Sequence, residues 1–152
     1  MNIEDHIQTS LKMSPEKKVL INILYTGNWV NELISDALKD FDISTQQFNV
    51  LRILKGRKGE PANLSTIQER MIAKNSNTTR LVDKLVKKEL VTKKKCPTNK
   101  RKVEILITHH GLEFLHQVNQ VVEEKEKQIV QHMSKKDLES INKLLTKLRE
   151  KL

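Results

Sequence analysis

The 152-residue chain has little of what marks secreted, fibrous or membrane-embedded proteins. Its one cysteine, Cys96, permits no internal disulfide and falls short of the ligand count of a cysteine-built zinc site. Three prolines and four glycines exclude collagen-like, mucin-like and glycine-rich disordered chains. No apolar run approaches the roughly 18 residues a membrane span needs. The start, Met1-Asn2-Ile3-Glu4-Asp5, lacks a basic segment followed by an apolar stretch. A cytoplasmic, soluble protein is the expectation. Also missing are a glycine-rich phosphate loop, a metal-spaced His/Asp cluster and a Ser or Cys nucleophile with a recognisable partner motif. These absences argue against an enzyme and against a cofactor or metal. His109, His110 and His116 read as solvated or capping groups, because no third ligand shares their helical turn.

What is present is positive charge in one place. The chain has 28 Lys plus Arg and 19 Asp plus Glu, a formal charge of +9. Between Lys74 and Lys102 stand eleven basic residues and only two acidic ones, Asp83 and Glu89, so this segment alone carries the whole excess. The rest of the chain is balanced. Solvated charged faces normally mix signs, as Glu123-Glu124-Lys125-Glu126-Lys127 does, whereas a one-signed segment points to a polyanion.

At this length a chain buries roughly 70% of its unfolded surface, enough for one domain with its own core. Ser14-Pro15-Glu16 is a helix start, with a capping hydroxyl, proline at the first helical position and an early carboxylate. Leu20, Ile23, Leu24, Val30, Ile34 and Leu38 then predict a helix to about residue 40. Ser44-Thr45-Gln46-Gln47 is a capping box for a second helix bearing Phe48, Leu51 and Leu54. Both helices are expected in the core. Ser65-Thr66-Ile67-Gln68 reads as another capping box, for a short helix to about Ala73. After Lys74-Asn75-Ser76-Asn77 a further short helix carries Leu81, Val82, Leu85 and Leu90. Two short helices joined by a tight polar link predict a helix-turn-helix.

The period then changes. Residues 90–95 and 102–107 are strand-like, with Pro97-Thr98-Asn99 at the tip of a basic β-hairpin. Thr108 can cap a long helix with Leu112, Leu115, Val118, Val122, Ile129 and Met133 along one side. Ser134-Lys135-Lys136-Asp137 opens a last helix with Leu138, Ile141, Leu144, Leu145, Leu148 and Leu152. The fold class is mainly α with a small β-hairpin: a winged helix-turn-helix flanked by long helices.

The sequence resembles the MarR family of bacterial transcriptional regulators. The matching residues are Leu64-Ser65, Thr79-Arg80-Leu81-Val82-Asp83-Lys84-Leu85, Leu90-Val91, Asn99-Lys100-Arg101 and Ile107-Thr108-His109-His110-Gly111. Family members usually have Asp where Asn99 stands, commonly Gly where Glu89 stands, and Leu where Ile107 stands. The resemblance implies a single domain over residues 1–152. Its DNA-binding lobe spans about 44–108, and dimerisation helices lie at about 14–40 and 109–152. It also implies a homodimer on a pseudo-palindromic operator, acting as a repressor released by a small aromatic or anionic effector.

The residue types suit that role. Ser65 lies at the start of the first short helix. Asn77, Thr78 and Thr79 lie where a recognition helix would enter the major groove, with Arg80 as reader of guanine or clamp on phosphate. An ion pair between Arg80 and Asp83 is the competing reading. Lys84, Lys93, Lys94, Lys95 and Lys100 are expected on phosphates, and Arg101 in the minor groove. Leu138, Ile141, Leu145, Leu148 and Leu152 are expected at the dimer interface, with packing on the chain's own first helix as the alternative. Tyr25 and Trp29 are candidates for an effector pocket, with a core role as the alternative. Cys96, among lysines, is a candidate for a redox switch, with an incidental exposed thiol as the alternative. A second functional reading of the whole chain is a winged-helix protein-interaction module docking an acidic partner through its basic face.

Overall fold

The computed structural model describes residues 2–99 and 102–150. Its elements run α1 (Ile3–His6), α2 (Pro15–Leu38), a 3-10 turn (Lys39–Phe41), α3 (Thr45–Gly56), α4 (Leu64–Arg70), α5 (Thr78–Lys87), β1 (Val91–Lys95), β2 (Val103–Ile107), α6 (His109–Val130) and α7 (Lys135–Arg149). Among the described residues no helix is long and apolar enough to cross a membrane.

Most helix starts are set by the side chains the sequence offers. Ser14 Oγ accepts the Lys17 N–H at 3.3 Å with Pro15 at the first helical position. The Ser44/Gln47 box of α3 closes in both directions, at 3.1 and 2.8 Å. Ser134 and Asp137 do the same for α7. At α4 the cap is Asn63 rather than Ser65. The Asn63 Oδ1 accepts the Thr66 N–H at 2.8 Å and the Ser65 hydroxyl at 2.6 Å, an acceptor position that Ser65, inside the helix, does not hold. This helix ends at Arg70, before the expected Ala73.

The core gathers under the helix-turn-helix. Phe48, Val50, Leu51 and Leu54 of α3 meet Ile67 and Met71, Val82 and Leu85 of α5, Leu90, Val91 and Ile105 of the hairpin, and Leu115, Val118 and Val122 of α6. The hairpin pairs Val91 with Ile107 through Lys95 with Val103, and Ala62 adds a single antiparallel bridge to Ile105.

One junction ties lobe to scaffold. Helix α5 ends in a Schellman motif: the Glu89 N–H bonds the Val86 carbonyl at 2.9 Å and the Leu90 N–H the Leu85 carbonyl at 3.1 Å. Glu89 is thereby held at φ 58°, the left-handed region that favours glycine. Its carbonyl accepts the Thr108 hydroxyl at 2.8 Å, while Thr108 caps α6 through the Gly111 N–H at 2.9 Å. Gly111 lies directly on this turn, and a Cβ there would stand 2.1 Å from the Leu90 carbonyl oxygen. No side chain fits.

Helix α2 departs from the expectation that it is core. Only Leu38 is buried on it, whereas Leu20 and Leu24 of the expected stripe stand exposed, together with Val19, Tyr25 and Trp29. The stripe is longer than the surface α3 and α6 offer it, so its N-terminal half projects beyond the core. On α6, Leu115, Val118 and Val122 are buried but Leu112 is exposed. Helix α7 has no buried residue: Leu138 and Leu145 are half-buried, Ile141, Leu144 and Leu148 exposed. It faces α2 across an apolar cleft lined by Ile23, Gly27 and Val30 on one side and Ile141 and Leu145 on the other. Leu152 lies outside the described residues. The short α1 is an addition to the elements that periodicity predicts. An Asn2/Asp5 capping box starts it, Ile3 buries itself, and Glu4 pairs with Lys18 at 2.8 Å.

Candidate nucleic-acid interface

A helix can enter a groove only if its inner face is spent on the core and its outer face is free. In α5, Val82 and Leu85 are buried while Thr79, Arg80, Asp83, Lys84 and Lys87 are exposed, a separation imposed by three- and four-residue spacing. Asn77 is the cap: its Oδ1 accepts the Arg80 N–H at 3.1 Å, which fixes where the helix begins. That bond occupies one of the two acceptor positions of the oxygen, so Asn77 has a structural role as the cap of α5. Thr78 is corrected. It is buried, and its hydroxyl bonds the Gln68 side-chain oxygen, locking α5 to α4 rather than facing outward.

The link between the two helices is tied down at several points. Met71 is buried, the Ile72 N–H donates to Asn49 Oδ1 at 2.9 Å, and the Ser76 hydroxyl donates to the Ala73 carbonyl at 2.7 Å. Lys74 donates its ammonium to the Glu69 carbonyl. Beside the start of α5 a concavity of about 410 Å³ is lined by Gln46, Ser76, Asn77, Arg80 and Lys84. Gln46, on α3, is not among the residues the sequence singles out. Its only signal there is membership in a capping box, which says nothing about what the helix start faces.

The alternative pairing of Arg80 with Asp83 is not what forms. Asp83 takes Lys93 of β1, with Nζ and Oδ1 2.8 Å apart, and no described residue pairs with the Arg80 guanidinium. Lys93, expected on phosphate, is here held in an ion pair with Asp83. The bridge joins the exposed face of α5 to the first strand of the wing. Lys94 and Lys95 remain exposed farther along that strand. The hairpin tip is closed by the Cys96 N–H on the Lys102 carbonyl and the Lys102 N–H on the Asn99 carbonyl, both 2.9 Å. Lys100 and Arg101 lie outside the described residues. Ser65 is exposed at the start of α4, its hydroxyl donated to Asn63.

On the opposite flank of the site, Lys88 reaches Asp42 at 2.6 Å. That hydrogen bond, with the added charge of Lys84, holds the Asp42 carboxyl below its ordinary range. Cys96 is half-buried with its sulfur 3.3 Å from the Thr98 hydroxyl. Tyr25 and Trp29 do come together. With Ile3, His6, Asn22 and Thr26 they line a cleft of about 370 Å³ between α1 and α2, where the Tyr25 hydroxyl lies 3.3 Å from His6 Nδ1. His109 pairs with Glu113 at 3.3 Å on the exposed side of α6.

Comparison with known proteins agrees with this geometry. The MarR family model matches residues 43–103, from the residue before the α3 cap to the start of β2. The HTH-type transcriptional regulator TcaR of Staphylococcus aureus strain Newman is 28% identical over 131 residues, covering 82% of this chain and 85% of TcaR. Among solved structures, the organohalide-sensing regulator RdhR-CbdbA1625 in its 2,4-dichlorophenol-bound form superposes with a TM-score of 0.82. It is 22% identical, over 91% of this chain and 81% of that one. A mutant MarR from E. coli complexed with operator DNA gives 0.78 at 20% identity, over 91% and 99%. An outward basic α5, a wing bonded to it and the match over residues 43–103 agree: those residues form a MarR-family domain, in a chain that shares the winged-helix fold of MarR-family regulators.

Proposed function

We propose that the protein is a homodimeric repressor that binds a pseudo-palindromic operator and leaves it when a small effector binds. The observation that carries the reading is the exposed Thr79-Arg80-Lys84 face of α5, clamped to the wing through Asp83 and Lys93. A face so oriented presents a base-reading threonine and arginine together with a phosphate-binding lysine, while the wing lysines Lys94 and Lys95 supply further phosphate contacts. Ser65 at the start of α4 and Lys100 complete the backbone contacts, and Arg101 takes the minor groove.

Dimerisation is supported by the apolar residues that the single chain leaves uncovered. These are Ile141, Leu144 and Leu148 of α7 and Leu20 and Leu24 of α2, with Leu138 and Leu145 of α7 half-buried. Leu152 extends the α7 stripe in sequence. The effector reading rests on the α1–α2 cleft, where Tyr25 and Trp29 offer two aromatic faces and His6 a polar edge. A volume near 370 Å³ suits an aromatic molecule of one or two rings. A regulator of similar fold is described in a 2,4-dichlorophenol-bound form.

The test is a fluorescence-anisotropy titration on the protein's own upstream promoter DNA and on a scrambled duplex at two salt concentrations. Operator binding is expected to exceed scrambled binding by about a thousandfold and to weaken steeply with salt. Equal binding to both duplexes refutes the reading. Arg101→Ala should weaken binding with the dimer intact, and Thr79→Ala should alter sequence preference more than salt dependence.

A further inference from the structure

Outside residues 74–102 the chain carries equal numbers of acidic and basic residues, so by sequence alone nothing else should attract an anion. The fold breaks that balance locally. At the C-terminal half of α3, the loop after it and the end of α4, a cleft of about 540 Å³ is lined by Arg52, Arg57, Lys58 and Arg70, with Ile53 on its wall and Glu60 as its one carboxylate. None of its lining residues comes from α5 or the hairpin.

The four cations are not equivalent. Arg57 is the anchor. Its side chain is only 19% exposed, its Nε and Nη2 donate to the Pro61 carbonyl at 3.2 and 3.0 Å, and it meets the Glu60 carboxylate at 3.4 Å. Arg57 thus shapes the loop and engages one oxygen of the largely exposed Glu60 carboxylate. Arg52 is held with its guanidinium 5.6 Å over the Phe48 ring, which orients it without neutralising it. Arg70 ends α4, and Lys58 sits in the left-handed conformation at φ 53° next to Gly59 at φ 90°. Among the described residues no carboxylate pairs with Arg52, Lys58 or Arg70. An open concavity lined by four cations, three of them without a carboxylate partner, and one partly engaged carboxylate carries a net positive charge.

We propose that this cleft binds a small polyanion, a phosphorylated or polycarboxylate molecule of up to nucleotide size, at one site per chain. The guanidinium groups of Arg52 and Arg70 take its oxygens as fork-shaped donors, and Lys58 closes over it as a point charge. A cleft of this volume fits a small molecule, whereas a duplex presents a long convex rod. An occupant would join α3 to the last residue of α4, the first helix of the helix-turn-helix, and so set the pose of the DNA-reading element from behind. The site does not depend on the operator reading or on the α1–α2 cleft.

The probe is inorganic pyrophosphate, titrated by calorimetry into the full chain at fixed ionic strength, without DNA. The wild-type protein is expected to bind one equivalent saturably. R52Q/R70Q is expected to weaken that binding at least tenfold, and K94Q/K95Q on the hairpin to leave it unchanged. K58Q, on an exposed loop, guards against a folding defect in the double variant and should weaken binding severalfold. Equal pyrophosphate affinity in wild type, R52Q/R70Q and K58Q overturns the proposal. So does loss of binding in K94Q/K95Q, which would move the anion to the hairpin face. If pyrophosphate does not bind while R52Q/R70Q weakens only long duplexes, the cleft takes DNA phosphates and the small-molecule assignment fails.

Discussion

The Asp83–Lys93 bridge separates two kinds of lysine that composition cannot tell apart, and replacing one of each exposes the difference. Arg80, Lys84, Lys94 and Lys95 face outward with no carboxylate partner among the described residues, while Lys93 is held 2.8 Å from Asp83. With Lys84, Lys94, Lys95 and Lys100 on phosphates, the proposed dimer neutralises about eight, and log K should fall with log salt at a slope of about −7. Between 50 and 200 mM salt that is a loss of roughly four decades. Lys84→Gln removes about two contacts per dimer and should flatten the slope by about 2. Lys93→Gln removes a charge already neutralised, so the slope should hardly change. Its cost instead comes from freeing the wing, seen as a uniform weakening at every salt concentration. The assay is operator anisotropy across at least four salt concentrations for the wild type and both variants. A slope change for Lys93→Gln as large as that for Lys84→Gln would refute the division, because it would place the Lys93 ammonium on DNA rather than on Asp83.

Four further outcomes follow from the scaffold. Gly111→Ala places a methyl group 2.1 Å from the Leu90 carbonyl oxygen, a backbone atom that cannot rotate away, and should destabilise the fold by about 3 kcal/mol in urea denaturation. Glu89→Gly relieves a left-handed non-glycine residue and should raise stability by about 0.5 kcal/mol, net of the greater chain entropy of glycine; a decrease would contradict the φ of 58°. Ser134→Ala should cost about 1 kcal/mol by removing the cap of α7. The Asp137 carboxyl is held below its ordinary range by the Ser134 hydroxyl and N–H. Its contribution is therefore complete above the ordinary carboxylate pKa and lost as pH falls through the lower folded value. Wild type should show this acid dependence in thermal melts, and Asp137→Asn should lack that part of it.

Periodicity and capping were the most legible features. Ser14, Ser44, Thr108 and Ser134 all cap where the sequence places helix starts, because a short side chain with an acceptor oxygen followed by a helical pattern leaves few alternatives. Asn63 outcompeted Ser65 for a reason the pattern does not weigh: both can cap, and the choice depends on where Leu64 and Ile67 reach the core. The partition of apolar residues between core and uncovered surface was not legible. Leu20 and Leu24 recur at helical spacing as Leu51 and Leu54 do, yet the first pair is exposed and the second buried, since spacing gives a face but not what lies opposite it.

The interface was legible in residue type and less so in role. Thr79, Arg80, Lys84, Lys94 and Lys95 stand outward as their positions in the helix and strand suggest, because the helix period and strand alternation fix direction locally. Asn77, Thr78 and Lys93 are polar residues in the same run, and each is engaged within the protein: a helix N-terminus, Gln68 and Asp83. Such partners lie ten residues away or at a helix end that only the fold defines. The Arg52–Arg70 cleft is the converse case. Its charges are scattered through a segment that is electrically unremarkable along the chain and meet only because α4 packs against α3. Linear charge counting therefore finds a surface built from one continuous stretch, as residues 74–102 are, and misses one assembled from several. The basic hairpin and the α3–α4 cleft have similar chemistry, and separate substitutions in the two distinguish binding by a polymer from binding by a small anion.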